Sequence, residues 1–397
     1  MPAEVDVLVV GAGPAGAAAG LAARRRGLDT LVVDKATFPR DKTCGDGLTT
    51  AALRMLEHLG VDLRALPGYM AVHETVLVGP NGRRVSLPLA ADGDYAAVVP
   101  RMELDAAIVE TARSTGVEVR DGAAVTGIEV NGDSVVATMA GGEDVHARFL
   151  VAADGHYSFV RRCLRQATPP ELGTWHAFRQ YFRGVDDRRL WVLFEPDLLP
   201  GYAWVFPLPE GRANVGFGVL RHPGMTGKEL NARWREVLAR PSVRTVLGPD
   251  AEPEATHRAW PIPASFDYDA LADGPVLYVG DAANVVDPLT GEGIAQAIET
   301  ATLAVDAIAD GGADRVGQRY RAGVRRALGR DLRFAAALQR VLRSRRGAAL
   351  AVRTAGLTPW TRRHFARWMF EVYPRALLLT PDRWRRGMFA GTGAYRS

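Results

Sequence analysis

Apolar residues fall into two regimes along this chain: short unbroken or alternating runs before residue 280, and runs at helical spacing after Glu292. Val7-Leu8-Val9-Val10 is an unbroken run of strand length, the pattern of a strand buried on both faces of a parallel sheet. It empties into Gly11-Ala12-Gly13-Pro14-Ala15-Gly16, after which residues 17–26 predict a helix. Residues 30–33 and 149–153 repeat the buried-strand pattern and end at Asp34 and at Asp154-Gly155. A last run of this kind, Val276-Leu277-Tyr278-Val279, ends at Gly280-Asp281 and leads to Pro288-Leu289-Thr290-Gly291-Glu292-Gly293-Ile294.

The strands between these runs have a different character. Residues 72–87 alternate on either side of Pro80-Asn81-Gly82, a hairpin signal. Runs at 177–183, 190–195, 203–207 and 213–219 predict a largely antiparallel sheet, and residues 224–247 return to helix. Beyond Glu292 the chain reads as almost wholly helical, with Pro359 and Pro374 as breaks or turns. The expected class is α/β: a discontinuous Rossmann-like domain from 1–68, 97–165 and 257–310, an inserted antiparallel β-sheet domain from 69–96 and 166–256, and a helical region over 311–397.

The glycines point to a phosphate-bearing ligand. Gly11 permits the turn out of the strand, Gly13 lets backbone approach a pyrophosphate, and Gly16 lets the following helix pack closely on the sheet. Asp34, about twenty residues beyond the loop, stands where a ribose hydroxyl needs an acceptor. Asp281 either accepts from the hydroxyls of a polyol such as ribitol or caps a helix. The amide end of the helix opened by Gly291-Glu292-Gly293-Ile294 would stabilise negative charge on a reduced flavin. Two strand-loop-helix elements suggest one long cofactor held at both ends, and FAD fits that description.

These residues resemble the flavoprotein group that includes aromatic hydroxylases, and within it the geranylgeranyl reductase family. The group's three signatures, the Gly-rich loop, Asp154-Gly155 and Gly280-Asp281, occur in the usual order, and Arg101 matches the arginine that reaches the cofactor. Pro39-Arg40-Asp41-Lys42-Thr43-Cys44-Gly45-Asp46-Gly47-Leu48 is similar to the reductases' Cys-Gly segment beside the isoalloxazine. Tyr202-Ala203-Trp204-Val205-Phe206-Pro207, followed by Gly216-Phe217-Gly218, matches their aromatic and Gly-x-Gly substrate motif. The resemblance implies that Ala12, Pro14, Ala15, Lys35, Arg40, Gly45, Val125, Pro288 and Ile294 join the cofactor set, and that Cys44 is the catalytic candidate. Independently of any family, Tyr202, Trp204 and Phe206 alternate, so on a strand their rings share one face, suited to a hydrocarbon or to packing on a helix.

Composition narrows the setting. Two cysteines, Cys44 and Cys163, without zinc-like spacing indicate neither disulfides nor a metal site. The start is already strand-like at Val5, and no apolar run approaches the ~18 residues that span a bilayer, so a cytoplasmic location is expected. The net charge of +4 hides an asymmetry: residues 311–397 carry 20 arginines, no lysine and four acids, a net +16 against −12 for the rest. Aromatic residues alternate with those arginines, which suits contact with an anionic membrane at its inner face and equally suits pairing with the acidic body. Nucleic-acid binding is not expected, since no recognition motif accompanies the charge.

The leading expectation is an FAD-dependent reductase that saturates carbon-carbon double bonds of a polyprenyl chain on a lipid or a menaquinone-like acceptor. Cys44 is either a proton donor or a small residue that fits beside the ring. The electron source, NAD(P)H or another reduced carrier, is not legible, because no second Gly-x-Gly-x-x-Gly follows a strand. The alternatives are a flavin monooxygenase or halogenase acting on an aromatic or polyketide-like compound, and a prenyl-lipid binding protein without catalysis.

Overall fold

The computed structural model describes residues 3–164, 173–222, 224–311, 315–384 and 391–396; the expected boundary at residue 166 lies outside them. Five parallel strands lie in the order Val276–Tyr278, Asp144–Ala152, Ala3–Val10, Thr30–Asp34 and Glu118–Asp121. The chain leaves Ala3–Val10 toward one side and later returns on the other. The loops at the carboxyl ends of Ala3–Val10 and Asp144–Ala152 therefore diverge and open a crevice. An antiparallel hairpin, Val125–Asn131 with Ser134–Met139, extends the sheet along Asp144–Ala152.

The first helix, Pro14–Arg25, begins three residues earlier than its apolar period suggests, because Pro14 at its first position has no N–H to lose. Residues 14–23 are all buried between the sheet and helices Arg101–Ser114 and Ile294–Ala309. Small side chains make that fit possible. A Cβ on Gly16 would stand 1.7 Å from the Gly11 carbonyl oxygen, and Gly11 itself sits at φ +100°.

A second sheet runs in the order Glu252–Pro253, Trp175–Arg183, Arg212–Leu220, Tyr202–Leu208, Leu190–Leu193, Glu74–Val78 and Arg84–Pro88. Every pairing in it is antiparallel except Leu190–Leu193 with Glu74–Val78. Strand Arg258–Ile262 also pairs with Trp175–Arg183, so the expected boundary at 257 is corrected: these residues belong to the second sheet. One face is sealed by Phe178, Phe217 and Trp234, the last from helix Gly227–Ala239, with ring centroids 5.3 to 6.5 Å apart. The opposite face turns toward the crevice. A three-stranded sheet not foreseen from the pattern, Gly47–Thr49, Ala96–Val98 and Met70–Ala71, stitches the two regions together.

Helices Val316–Ala327, Gly329–Leu342, Arg345–Ala355 and Pro359–Met369 complete the architecture. Pro359 starts a helix rather than breaking one, behind a Thr358/Thr361 capping box. Val352, Ala355, Ala366 and Phe370 pack against Leu77, Val85, Leu87 and Leu190 of the second sheet. The Tyr320 hydroxyl donates to the Tyr278 carbonyl at 2.6 Å and fastens the first of these helices to the edge of the parallel sheet.

Gly16→Ala forces the loop away from the helix, and we expect it to destabilise the protein by about 1–3 kcal/mol. Urea unfolding of the flavin-free protein measures this apart from cofactor loss; unchanged stability would show that the loop yields freely.

Candidate functional site

The crevice is one continuous cavity of about 980 Å³, and its lining runs from Gly11, Gly13 and Asp34 at one end to Leu338, Leu342 and Trp368 at the other. Its first third is a backbone cradle. Gly13 borders the opening, and a Cβ there would meet only the Arg40 guanidinium, at 3.4 Å. The Asp34 carboxylate accepts from the amides of Ala12 at 2.7 Å and Ala36 at 2.8 Å, so it shapes the loop as well as facing the cavity. Lys35, Arg40, Val125, Asp154 and Gly155 line the same end. Asp154 Oδ2 accepts from the Val160 amide in the first turn of helix Phe159–Cys163, while its buried Oδ1 has no hydrogen-bond partner among the described residues.

The middle is charged and closely paired. Arg101 makes a two-pronged bond to Asp105, 2.7 and 2.8 Å, and Arg40 approaches the same carboxylate at 3.1 Å. Asp281 lies in the turn Gly280–Ala283 and accepts from Lys42 Nζ at 3.1 Å; burial opposes its ionisation, but Lys42 outweighs it and lowers the pKa. That turn is pinned from behind by buried Arg161, which donates to the Ala282 and Ala270 carbonyls. Burial raises the Cys44 pKa, while the nearby Arg101 guanidinium pulls the other way, so the thiol stays protonated near neutral pH.

Beyond Cys44 stands the aromatic wall. Tyr202, Trp204 and Phe206 all line the cavity, with successive centroids 6.1 and 5.9 Å apart. In the adjoining strand they face Gly218, Gly216 and Asn214 respectively. A Cβ on Gly216 would stand 2.2 Å from the Trp204 ring, so this glycine seats the indole rather than touching the cavity; Gly218 lines it. Ala12, Gly16, Gly280 and Pro288, expected as cofactor contacts, are absent from the lining.

Asp46, Asn214 and Glu292 were not singled out from the sequence. Asp46 is fully buried at φ +63°; its carboxylate accepts from Tyr181 Oη and Asn214 Nδ2, both 2.7 Å, and from the Arg101 amide at 3.3 Å. Burial pushes its pKa up to about 6 against those bonds and the charges of Arg179 and Arg101. Asn214 also donates to the Cys44 carbonyl at 2.9 Å and accepts from the Trp204 indole at 3.0 Å. Its polar side chain shares a strand face with Gly216 and Gly218, the one signal that could have disclosed it.

Residues 4–312 match the FAD binding domain family. The chain is 36% identical over 322 residues to a menaquinone reductase of Mycobacterium tuberculosis, covering 76% of each chain. It is 32% identical over 315 residues to a digeranylgeranylglycerophospholipid reductase of Methanopyrus kandleri, covering 74% of this chain and 78% of that one. The chain belongs to the geranylgeranyl reductase family of FAD-dependent oxidoreductases. Its fold is shared with a geranylgeranyl bacteriochlorophyll reductase-like protein of Thermoplasma acidophilum, with a TM-score of 0.78 at 23% identity over 96% of this chain and 99% of that one.

The residues present suit the FAD of this family. A loop with glycine at Gly11 and Gly13 and the helix end after it face the opening where a pyrophosphate would sit, a buried Asp154 oxygen lies at the same end, and helix Ile294–Ala309 aims its amides at the cavity further along. At that second helix end Glu292 accepts from the Ile294 amide at 3.0 Å. Burial raises its pKa to about 8, with nearby Glu371 adding to the shift and Arg375 opposing it.

A folded-state pKa above the unfolded value means that folding takes up a proton between the two. The contribution of Glu292 to stability is then fully present below about pH 4.5 and lost as pH rises toward about 8. We expect Glu292→Gln to flatten that decline, removing a slope of at most about 1.4 kcal/mol per pH unit. Urea midpoints between pH 5 and pH 8 test this; parallel curves for variant and parent would refute it.

Proposed function

We propose that the protein reduces isolated double bonds in the polyprenyl tail of a lipid or quinone, drawing on FAD reduced by NAD(P)H or another carrier. The observation that carries this reading is the continuity of the cavity: a nucleotide cradle at one end and a hydrocarbon-sized apolar channel at the other, with Cys44 between them. The relatives named above as reductases of menaquinone and of digeranylgeranylglycerophospholipid share the prenyl tail and differ in headgroup. The tail is the common element. The second sheet is accordingly read as the substrate-binding region, and a peripheral position at an anionic inner leaflet would give the enzyme access to such substrates.

When bound and reduced, FAD would supply the hydride for one carbon of the alkene. The protein must deliver a proton to the other carbon, and Cys44 Sγ is the group we assign to it. Its raised pKa keeps the proton in place until it is needed, and Arg101 is positioned to stabilise the thiolate left behind. Asn214 fixes the Cys44 backbone, and Asp46 in turn fixes Asn214. Trp204 and Phe206 press on this segment: a Cβ on Gly45 would lie 3.6 Å from both rings, leaving little room for water. The proton would in this way come from the positioned thiol rather than from solvent.

The lysines favour this reading over halogenation, which needs a lysine facing a separate tunnel. Lys42 is bound to Asp281, Lys35 stands at the nucleotide end, and Lys228 is exposed on Gly227–Ala239. Anaerobic, dithionite-reduced holoenzyme given a geranylgeranyl lipid or a menaquinone should add hydrogen in steps of about 2 daltons, one per double bond saturated by hydride plus proton. No mass gain on either substrate would overturn the proposal. Cys44→Ala should keep its flavin absorbance and lose about 10²-fold or more in single-turnover rate; full turnover would remove Cys44 from the chemistry.

A further inference from the structure

The cavity has a mouth, and its surroundings differ from the rest of the surface. Val341 and Leu350 both line the cavity, yet they are 52% and 61% exposed; Thr354 also does both. The opening therefore lies between helices Gly329–Leu342 and Arg345–Ala355. Arg346, Leu350 and Arg353 stand at i, i+4 and i+7, on one face of the second helix. Arg340 and Arg343 flank Val341 at the end of the first. All four arginines are exposed, and among the described residues none of them pairs with a carboxylate. These four charges of the region's +16 are thus not spent on the acidic body, whereas Arg375 turns inward, to Asp287 and Glu371.

Apolar exposure follows the same geography. Among the described residues, six of the nine large exposed apolar side chains come after residue 340: Val341, Leu350, Leu357, Trp360, Leu379 and Trp384. Soluble surfaces scatter such groups singly, whereas clustering beside cations marks an interfacial face. No helix among the described residues is long and apolar enough to cross a membrane, so a bilayer would be met from its surface. A nucleic acid or an acidic protein would satisfy the arginines alone. Neither accounts for an apolar mouth leading into a hydrocarbon-lined cavity.

We infer that the face formed by Arg340, Arg343, Arg346, Leu350 and Arg353 docks on an anionic bilayer, and that the mouth at Val341 and Leu350 admits a lipid tail directly from the leaflet. The tail then reaches Trp204 and Phe206 without crossing water, while the headgroup stays at the interface among the arginines. The identity of that tail as polyprenyl rests on the reductase reading; the docking itself does not.

The test is sedimentation of the full-length holoprotein with vesicles of phosphatidylcholine alone or with about one-third phosphatidylglycerol. Binding is expected to the anionic vesicles, to weaken in high salt, and to fall about thirtyfold in the R346Q/R353Q double variant. The variant should keep its flavin spectrum, its melting temperature and its turnover of a detergent-solubilised substrate. Equal binding to both vesicles, no loss in the variant, or salt-sensitive binding to duplex DNA in place of vesicles would each overturn the inference. Docking without reduction of any polyprenyl substrate sustains the surface and removes the reductase reading. Reduction without docking removes the surface alone.

Discussion

One buried carboxylate holds the two halves of this molecule in register. Asp46 belongs to the segment that follows the first βαβ unit, yet every side chain bonded to it comes from the second sheet: Tyr181 from Trp175–Arg183 and Asn214 from Arg212–Leu220. The amide of Arg101 adds a third bond from the first residue of the helix beside the cofactor crevice. Removing one partner would leave a buried acceptor unsatisfied, which costs about 1–3 kcal/mol, more for a charged group. The φ of +63° at Asp46 is what turns its side chain back into the interface while the chain continues into Gly47–Thr49. Cys44 lies two residues upstream, so its position is a consequence of this joint.

A second buried charge performs the matching task at the other side of the cavity. Arg375, almost wholly removed from solvent, donates to Asp287 at 3.2 Å and lies 3.5 Å from Glu371. Asp287 in turn accepts from the amides of Leu289 and Thr290, which shape the turn ahead of Glu292 and Gly293. The C-terminal region is thereby coupled to the helix end that faces the cavity. Breaking such a pair by removing one partner typically costs about 3–5 kcal/mol, because the other charge is left buried and alone. The arginine-rich region is thus tied to the site by inward residues, Arg375 with Glu371 and Gln339, while other arginines face outward.

What could be read from the sequence divides along the same line. Features held within one short stretch were legible: the glycine turn, the acids at strand ends, and the alternating rings of Tyr202, Trp204 and Phe206, because local spacing already encodes their geometry. The hairpin around Asn81 and the strands of the second sheet fell near their expected positions for the same reason. Illegible were partnerships set by sheet register. Asp46 and Asn214 are 168 residues apart, and Arg375 and Asp287 are 88 apart. The placing of Arg258–Ile262 in the second sheet failed similarly: five residues on a single edge carry no mark of which sheet they will join. Gly216, expected as a substrate contact, packs under the Trp204 ring, a relation that only the facing strand discloses.

These joints also explain how a charged site can border an oily channel. Four of the cations that line the cavity are engaged: Arg101 and Arg40 with Asp105, Lys42 with Asp281, Arg179 with Asp41. An unpaired charge there would hold water, and water would screen the site's electrostatics and let protons leak to and from solvent. Glu292, the acid at the channel's edge without a full cationic partner, meets the same requirement differently, since burial and neighbouring Glu371 favour its neutral form. Dryness is achieved by pairing in one part of the cavity and by protonation in another. Arg340, Arg343, Arg346 and Arg353, which have no carboxylate partner among the described residues, lie outside, at the mouth, where hydration costs nothing.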